Sequence, residues 1–232
     1  MRKKIILLGT LALASFGTLA QERELEALKP KVTFGVKIGA TFPSFRLSGS
    51  DALPANYVGT HIASLYIGGI VDLPIGDTWS IQPGITFVGK GNQVNQVAPN
   101  SSNVLTTEKY TPFYIEIPVN LIAKFRVNIG QIFAGAGPYY AYGILGEYTP
   151  PAPTAEGLKA GITTGGPSTN VFTSSGSKDL SRTDWGFNFL LGFQLNTGMG
   201  ILAGYNLGLI NIDASSSSKK NSAISIGLSY LF

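Results

Sequence analysis

Residues 113–125 read Phe113-Tyr114-Ile115-Glu116-Ile117-Pro118-Val119-Asn120-Leu121-Ile122-Ala123-Lys124-Phe125. Every odd position is apolar, and the even positions carry Tyr114, Glu116, Pro118, Asn120, Ile122 and Lys124. A period of two sends alternate side chains to opposite faces of an extended chain, so this segment is a strand with one wholly apolar face. It is long enough to cross a bilayer, for which about 9 to 11 tilted residues suffice.

Working outward, the same pattern recurs in Phe34-Val36-Ile38-Ala40-Phe42, Trp79-Ile81-Pro83-Ile85-Phe87, Trp185-Phe187-Phe189-Leu191-Phe193-Leu195, Ile201-Ala203-Tyr205-Leu207-Leu209 and Ile224-Ile226-Leu228-Tyr230-Phe232. Two further strands, His61 to Leu73 and Ile132 to Glu147, complete a set of eight, and the pattern leaves their facing open. The connections alternate in length. Leu73 to Thr78, Arg126 to Gln131 and Asn196 to Gly200 are tight turns with Gly, Pro or Asn. Pro43 to Thr60, Gly91 to Lys109, Tyr148 to Ser181 and Asp213 to Asn221 are longer polar loops. Short turns at one end and long loops at the other predict an all-β fold, an eight-stranded antiparallel transmembrane β-barrel with periplasmic turns and extracellular loops.

The period alone does not say which face points outward, since a soluble lipocalin-like barrel alternates with its apolar side inward. Three features favour lipid outside. The polar face is mostly Gly, Ser, Thr, Asn and Gln rather than the Lys and Glu of a water-facing wall. Aromatics recur at the strand ends of the apolar face, Phe34, Trp79, Phe125, Phe193 and Phe232 at the turn side and Phe42, Phe87, Phe113 and Trp185 at the loop side, as interfacial girdles do. The chain also stops at Phe232, with Tyr230, Leu228 and Ile226 on the same face, which is similar to the C-terminal signal read by barrel-insertion machinery.

The first residues read as a cleaved signal peptide, 1–20: Arg2, Lys3 and Lys4, an apolar run from Ile5, then Thr18-Leu19-Ala20. Residues 21–31 form a short periplasmic leader, and 32–232 the barrel domain. Taking Arg2, Lys3 and Lys4 from the 17 Lys and Arg leaves 14 against 13 Asp and Glu, a net of +1. That balance argues against a nucleic-acid partner, which needs a basic patch. The chain has no cysteine, which removes disulfides, thiolate metal sites and cysteine nucleophiles.

A family resemblance runs through nearly the whole mature chain. Within His61 to Gly91 lies Trp79-Ser80-Ile81-Gln82-Pro83-Gly84; then come Tyr114-Ile115-Glu116-Ile117-Pro118 leading to Lys124-Phe125, Ala136-Gly137-Pro138-Tyr139, and Thr183-Asp184-Trp185-Gly186. Their order resembles the PorT-like outer-membrane β-barrel family typical of Bacteroidetes. The resemblance implies an eight-stranded barrel in the outer membrane without an assigned activity, and the namesake's link to protein secretion is not carried over.

Lys37, Glu116, Lys124, Arg182 and Asp184 fall on the polar face, and in an eight-strand barrel side chains fill the interior. Nearly balanced signs predict an ion-pair network that plugs the lumen, because unpaired charges there are costly. A small passive channel is the alternative, and a secreted soluble binding barrel a third reading. His61, with Asp51 and Ser64 near it in sequence, matches no hydrolase motif and reads as a solvated rim histidine; no enzyme activity, metal or cofactor is expected. The expected role is structural or in surface recognition. Expected partners are outer-membrane lipid, the insertion machinery during assembly, and a protein or surface ligand at the extracellular loops.

Overall fold

The computed structural model describes residues 31–48, 55–163, 165–172, 180–213 and 218–232. The expected signal peptide and all of the leader except Lys31 lie outside the described residues, as does Asp51. Eight strands build the wall: β1 (Thr33–Ser48), β3 (Ser64–Ile75), β4 (Trp79–Gly89), β6 (Val104–Val127), β7 (Gly130–Pro153), β9 (Thr183–Leu195), β10 (Met199–Gly208) and β11 (Ser218–Leu231). Three shorter ones, β2 (Tyr57–Thr60), β5 (Asn92–Val97) and β8 (Thr169–Asn170), are added at the loop end.

Each wall strand pairs antiparallel with its neighbour along the chain, and β1 pairs with β11 from Gly35↔Leu231 to Ser48↔Ser218, which closes an eight-strand ring with no free edge at membrane level. Closure is what lets a sheet sit in lipid, where an unpaired N–H or C=O has no water to turn to. The turns are tight: Gly76 and Gly198 hold positive φ angles of 71° and 90° between β3 and β4 and between β9 and β10, and Asn128-Ile129 joins β6 to β7.

The apolar faces point outward. Leu65 is 68% exposed and Ile226 60%, and Phe34, Ile38, Trp79, Ile117, Leu191 and Ile201 share that surface, while Thr41, Asp72, Thr86, Glu116, Asn120 and Asp184 are buried inside. This inversion of a soluble protein is the reverse of the lipocalin-like arrangement. The two strands of open facing are now placed: Leu65 and Ile67 face out with Tyr66, Ile70 and Asp72 in, and Ile132, Tyr140 and Tyr142 face out with Tyr139 and Ala141 in.

The expected loops need correction. β1 continues to Ser48, β11 begins at Ser218, and β6 and β7 are each 24 residues, more than twice what a bilayer crossing needs. The segments 91–109 and 148–181 therefore contain β5, the outer ends of β6 (104–109) and β7 (148–153), β8 and a short helix α1 (Ala155–Lys159) capped by the Thr154 hydroxyl, which accepts from the Gly157 N–H. The wall rises well beyond the apolar band. These segments alternate no apolar residues because neither face there meets lipid, so the period that marks a membrane strand is missing from their sequence.

Candidate functional site in the barrel lumen

Two buried charge clusters lie within the barrel, and a further pair, Lys219–Asp213 at 2.7 Å, lies beside Tyr110 at the loop end. In the upper cluster Lys90 Nζ lies 2.9 Å from Glu116 Oε2 and donates to Asp184 Oδ2 at 2.9 Å, with all three side chains almost fully buried. Asn221 Nδ2 (2.9 Å) and Tyr139 OH (3.2 Å) also donate to Asp184 Oδ2, and Asn206 Nδ2 donates to both Glu116 oxygens at 3.1 and 3.0 Å. The Lys90 ammonium stands 4.1 Å from the centre of the Tyr139 ring, so the cation meets two carboxylates and an aromatic face. In the lower cluster Lys124 pairs with Asp72, which also accepts from Ser80 Oγ (2.9 Å) and Gln82 Nε2 (3.3 Å).

Above Lys90 the lumen is closed by an apolar cluster. Phe172 meets Tyr114 edge to face at 5.8 Å, Phe45 packs on Tyr110 at 5.6 Å, and Val171, Leu180 and Ile212 are buried beside them. Below Lys90, among the described residues, lie cavities of about 50 and 40 Å³, both bordered by Lys37, Asn120, Leu190 and Leu202. Each has room for a few waters and no more.

The sequence-expected lumen residues thus divide. Glu116 and Asp184 share one lysine, and Lys124 has its own carboxylate. Lys37 has no carboxylate within ion-pair distance among the described residues; its ammonium lies 5.9 Å from the Tyr66 ring centre. Arg182 stands apart from the charge cluster, because it precedes β9 at the loop end; it donates to the Gly143 carbonyl (2.9 Å) and stacks on Phe172 at 4.9 Å. Ile226, Leu228, Tyr230 and Phe232 line the outer wall, Phe232 70% exposed and in edge contact with Tyr230.

Sequence reasoning missed Lys90 and Asp72. Lys90 lies three residues beyond Phe87, the last expected residue of its strand, yet the inward face Ser80, Gln82, Gly84, Thr86, Val88 continues in parity to residue 90. The chain breaks just after it, at Gly91 (φ 145°), where a Cβ would lie 2.1 Å from the Tyr110 carbonyl oxygen. His61 is exposed, its Nδ1 3.0 Å from the Phe42 carbonyl. Among the described residues no cluster of three His, Asp or Glu could hold a metal ion.

A lipid-facing apolar wall around a charged, closed interior is matched by a family model, outer membrane protein beta-barrel domain, over residues 19–214. The chain belongs to the outer-membrane β-barrel domain family. As a member of that family it is a protein of the outer membrane. Solved structures are similar in fold: Ail of Yersinia pestis, crystallised with the heparin analogue sucrose octasulfate, at 12% identity over 88% of this chain and all of that one, TM-score 0.40; OprG of Pseudomonas aeruginosa, 15% identity over 86% and 95%, TM-score 0.42; and Neisserial surface protein A, 14% identity over 88% and 100%, TM-score 0.43. No curated protein matches the sequence.

Proposed function

We propose that this family member is a closed barrel displayed at the cell surface, with a structural or recognition role carried by the wall that rises beyond the membrane. The observation that supports it is the double seal of the lumen: the Phe45–Tyr110 and Tyr114–Phe172 contacts above, and the buried Lys90–Glu116–Asp184 cluster directly beneath. The cavities of about 50 and 40 Å³ below it have room for a few waters and are too small for a larger solute. The protein reaches the membrane after removal of residues 1–20, the C-terminal strand with Ile226, Leu228, Tyr230 and Phe232 serves the insertion machinery, and the motif order supports a PorT-like member. It has no enzymatic role in this reading, and its partners are membrane lipid and a ligand at the outer extension.

Planar-bilayer recording tests the closed lumen: purified protein gives no stable unitary currents, and such currents would establish the passive-channel alternative instead. The absence of cysteine makes topology testable too. In intact cells Ser168→Cys is labelled by an impermeant maleimide and Asp77→Cys, in a short turn, is protected; the reverse pattern would overturn the orientation.

A further inference from the structure

The larger lumen cavity, about 50 Å³, lies between Lys37 and Glu116 and is also lined by Tyr66, Thr86, Asn120 and Asn188. Four polar atoms on those last residues, Tyr66 OH, Thr86 Oγ1, Asn120 Oδ1 and Asn188 Oδ1, are buried without a hydrogen-bond partner among the described residues. The residues are only 5%, 3%, 4% and 7% exposed. Buried polar groups are almost always satisfied, and each one left bare costs about 1–3 kcal/mol. Four on the wall of one cavity point to a shared ligand.

The backbone makes room for these groups. Gly39 and Gly227 face each other across β1 and β11, and a Cβ on either would collide with Tyr66, at 2.7 Å from Cε1 and 2.2 Å from the hydroxyl. A Cβ on Gly68 would lie 2.8 Å from Thr86 Oγ1. The Asn188 amide is oriented by its Nδ2, which donates to Glu116 Oε1 at 3.4 Å and leaves Oδ1 free.

The donor and acceptor set selects the ligand. An anion would be held by Lys37, Tyr66 and Thr86 but would leave both amide oxygens bare beside the Glu116 carboxylate. A cation would meet the amide oxygens and be repelled by Lys37. Water both donates and accepts. We infer that the cavity is a built water site, in which ordered waters donate to Asn120 and Asn188, accept from Tyr66 and Thr86, and join the Lys37 ammonium to the Glu116–Lys90–Asp184 cluster. At about 10–15 Å³ of accessible volume each, the site takes about three to five waters. Lys37, which lacks a carboxylate among the described residues, gains its solvation there. The lumen is then hydrated below Lys90, a condition independent of what the outer surface binds.

The test is the sign of a stability change. With water in the cavity, Tyr66→Phe and Thr86→Val each remove a water's partner and lower the melting temperature of the folded barrel by a few degrees. In a dry cavity each removes a bare buried hydroxyl and raises it, which would overturn the inference. Replacing chloride with gluconate leaves the wild-type melting temperature unchanged; a drop of several degrees would assign the site to an anion. Should a variant fail to fold, a crystal structure of the unaltered protein decides: solvent density within hydrogen-bond distance of Tyr66 OH and Thr86 Oγ1 supports the site, and a cavity free of density refutes it.

Discussion

Replacing Lys90 with methionine keeps an unbranched stem as far as Cε and leaves Glu116 and Asp184 buried without their shared cation. Both contacts are 2.9 Å. At an effective dielectric of about 20, each is worth roughly 6 kcal/mol before desolvation is counted. Desolvating the lysine and both carboxylates cancels part of that, and breaking a buried ion pair by removing one partner costs about 3–5 kcal/mol in practice. Lys90→Met is therefore expected to lower the stability of the folded barrel by about 3–5 kcal/mol, roughly two to three and a half powers of ten in the folding equilibrium. The remaining donors, Asn206 on Glu116 and Asn221 and Tyr139 on Asp184, place the loss towards the lower figure.

Urea titration in lipid vesicles measures it, with the fluorescence of Trp79 and Trp185, the two tryptophans of the chain, both on the lipid-facing wall. One control isolates the cause. Neutralising the cluster as a whole, with Lys90→Met, Glu116→Gln and Asp184→Asn together, recovers most of the loss. An unfolding midpoint for Lys90→Met within error of the parent would refute the reasoning, since the cluster would then hold nothing together.

Val119 lies on the outer face near the middle of the β6 apolar band, so Val119→Arg should cost about 2–4 kcal/mol in the same titration; Asn120→Ser, one residue away but inward, should cost clearly less. Gly137 sits where a Cβ would be 1.9 Å from the Val119 carbonyl oxygen, so Gly137→Ala should push β6 and β7 apart and reduce the heat-modifiable folded band on gels. Deleting Phe232, 70% exposed and seated against Tyr230, should slow insertion into membranes while leaving the stability of correctly folded molecules nearly unchanged, as pulse-chase folding and urea titration would show.

The apolar alternation of 113–125 was sufficient for a membrane strand because one face of that segment meets lipid, and lipid tolerates no polar side chain there. Where neither face meets lipid the marker disappears, which is why the outer ends of β6 (104–109) and β7 (148–153) read as loops although they pair with each other. Glu116, Lys124 and Asp184 were legible as inward charges because they sit inside alternating runs. Asp72 was not, since the facing of its strand was ambiguous, and Lys90 was hidden by the glycines on either side of it.

By itself, then, the sequence determined the period, the number of wall strands and the apolar composition of one face, all properties of residues close together in the chain. Which charges meet was decided only by the tertiary structure. Lys90 and Asp184 are 94 positions apart, and their contact depends on the register of every strand pair between them and on the closure of β1 against β11. The seal above them is likewise tertiary, because Phe45, Tyr114, Phe172 and Ile212 come from four separate segments of the chain and share no local pattern.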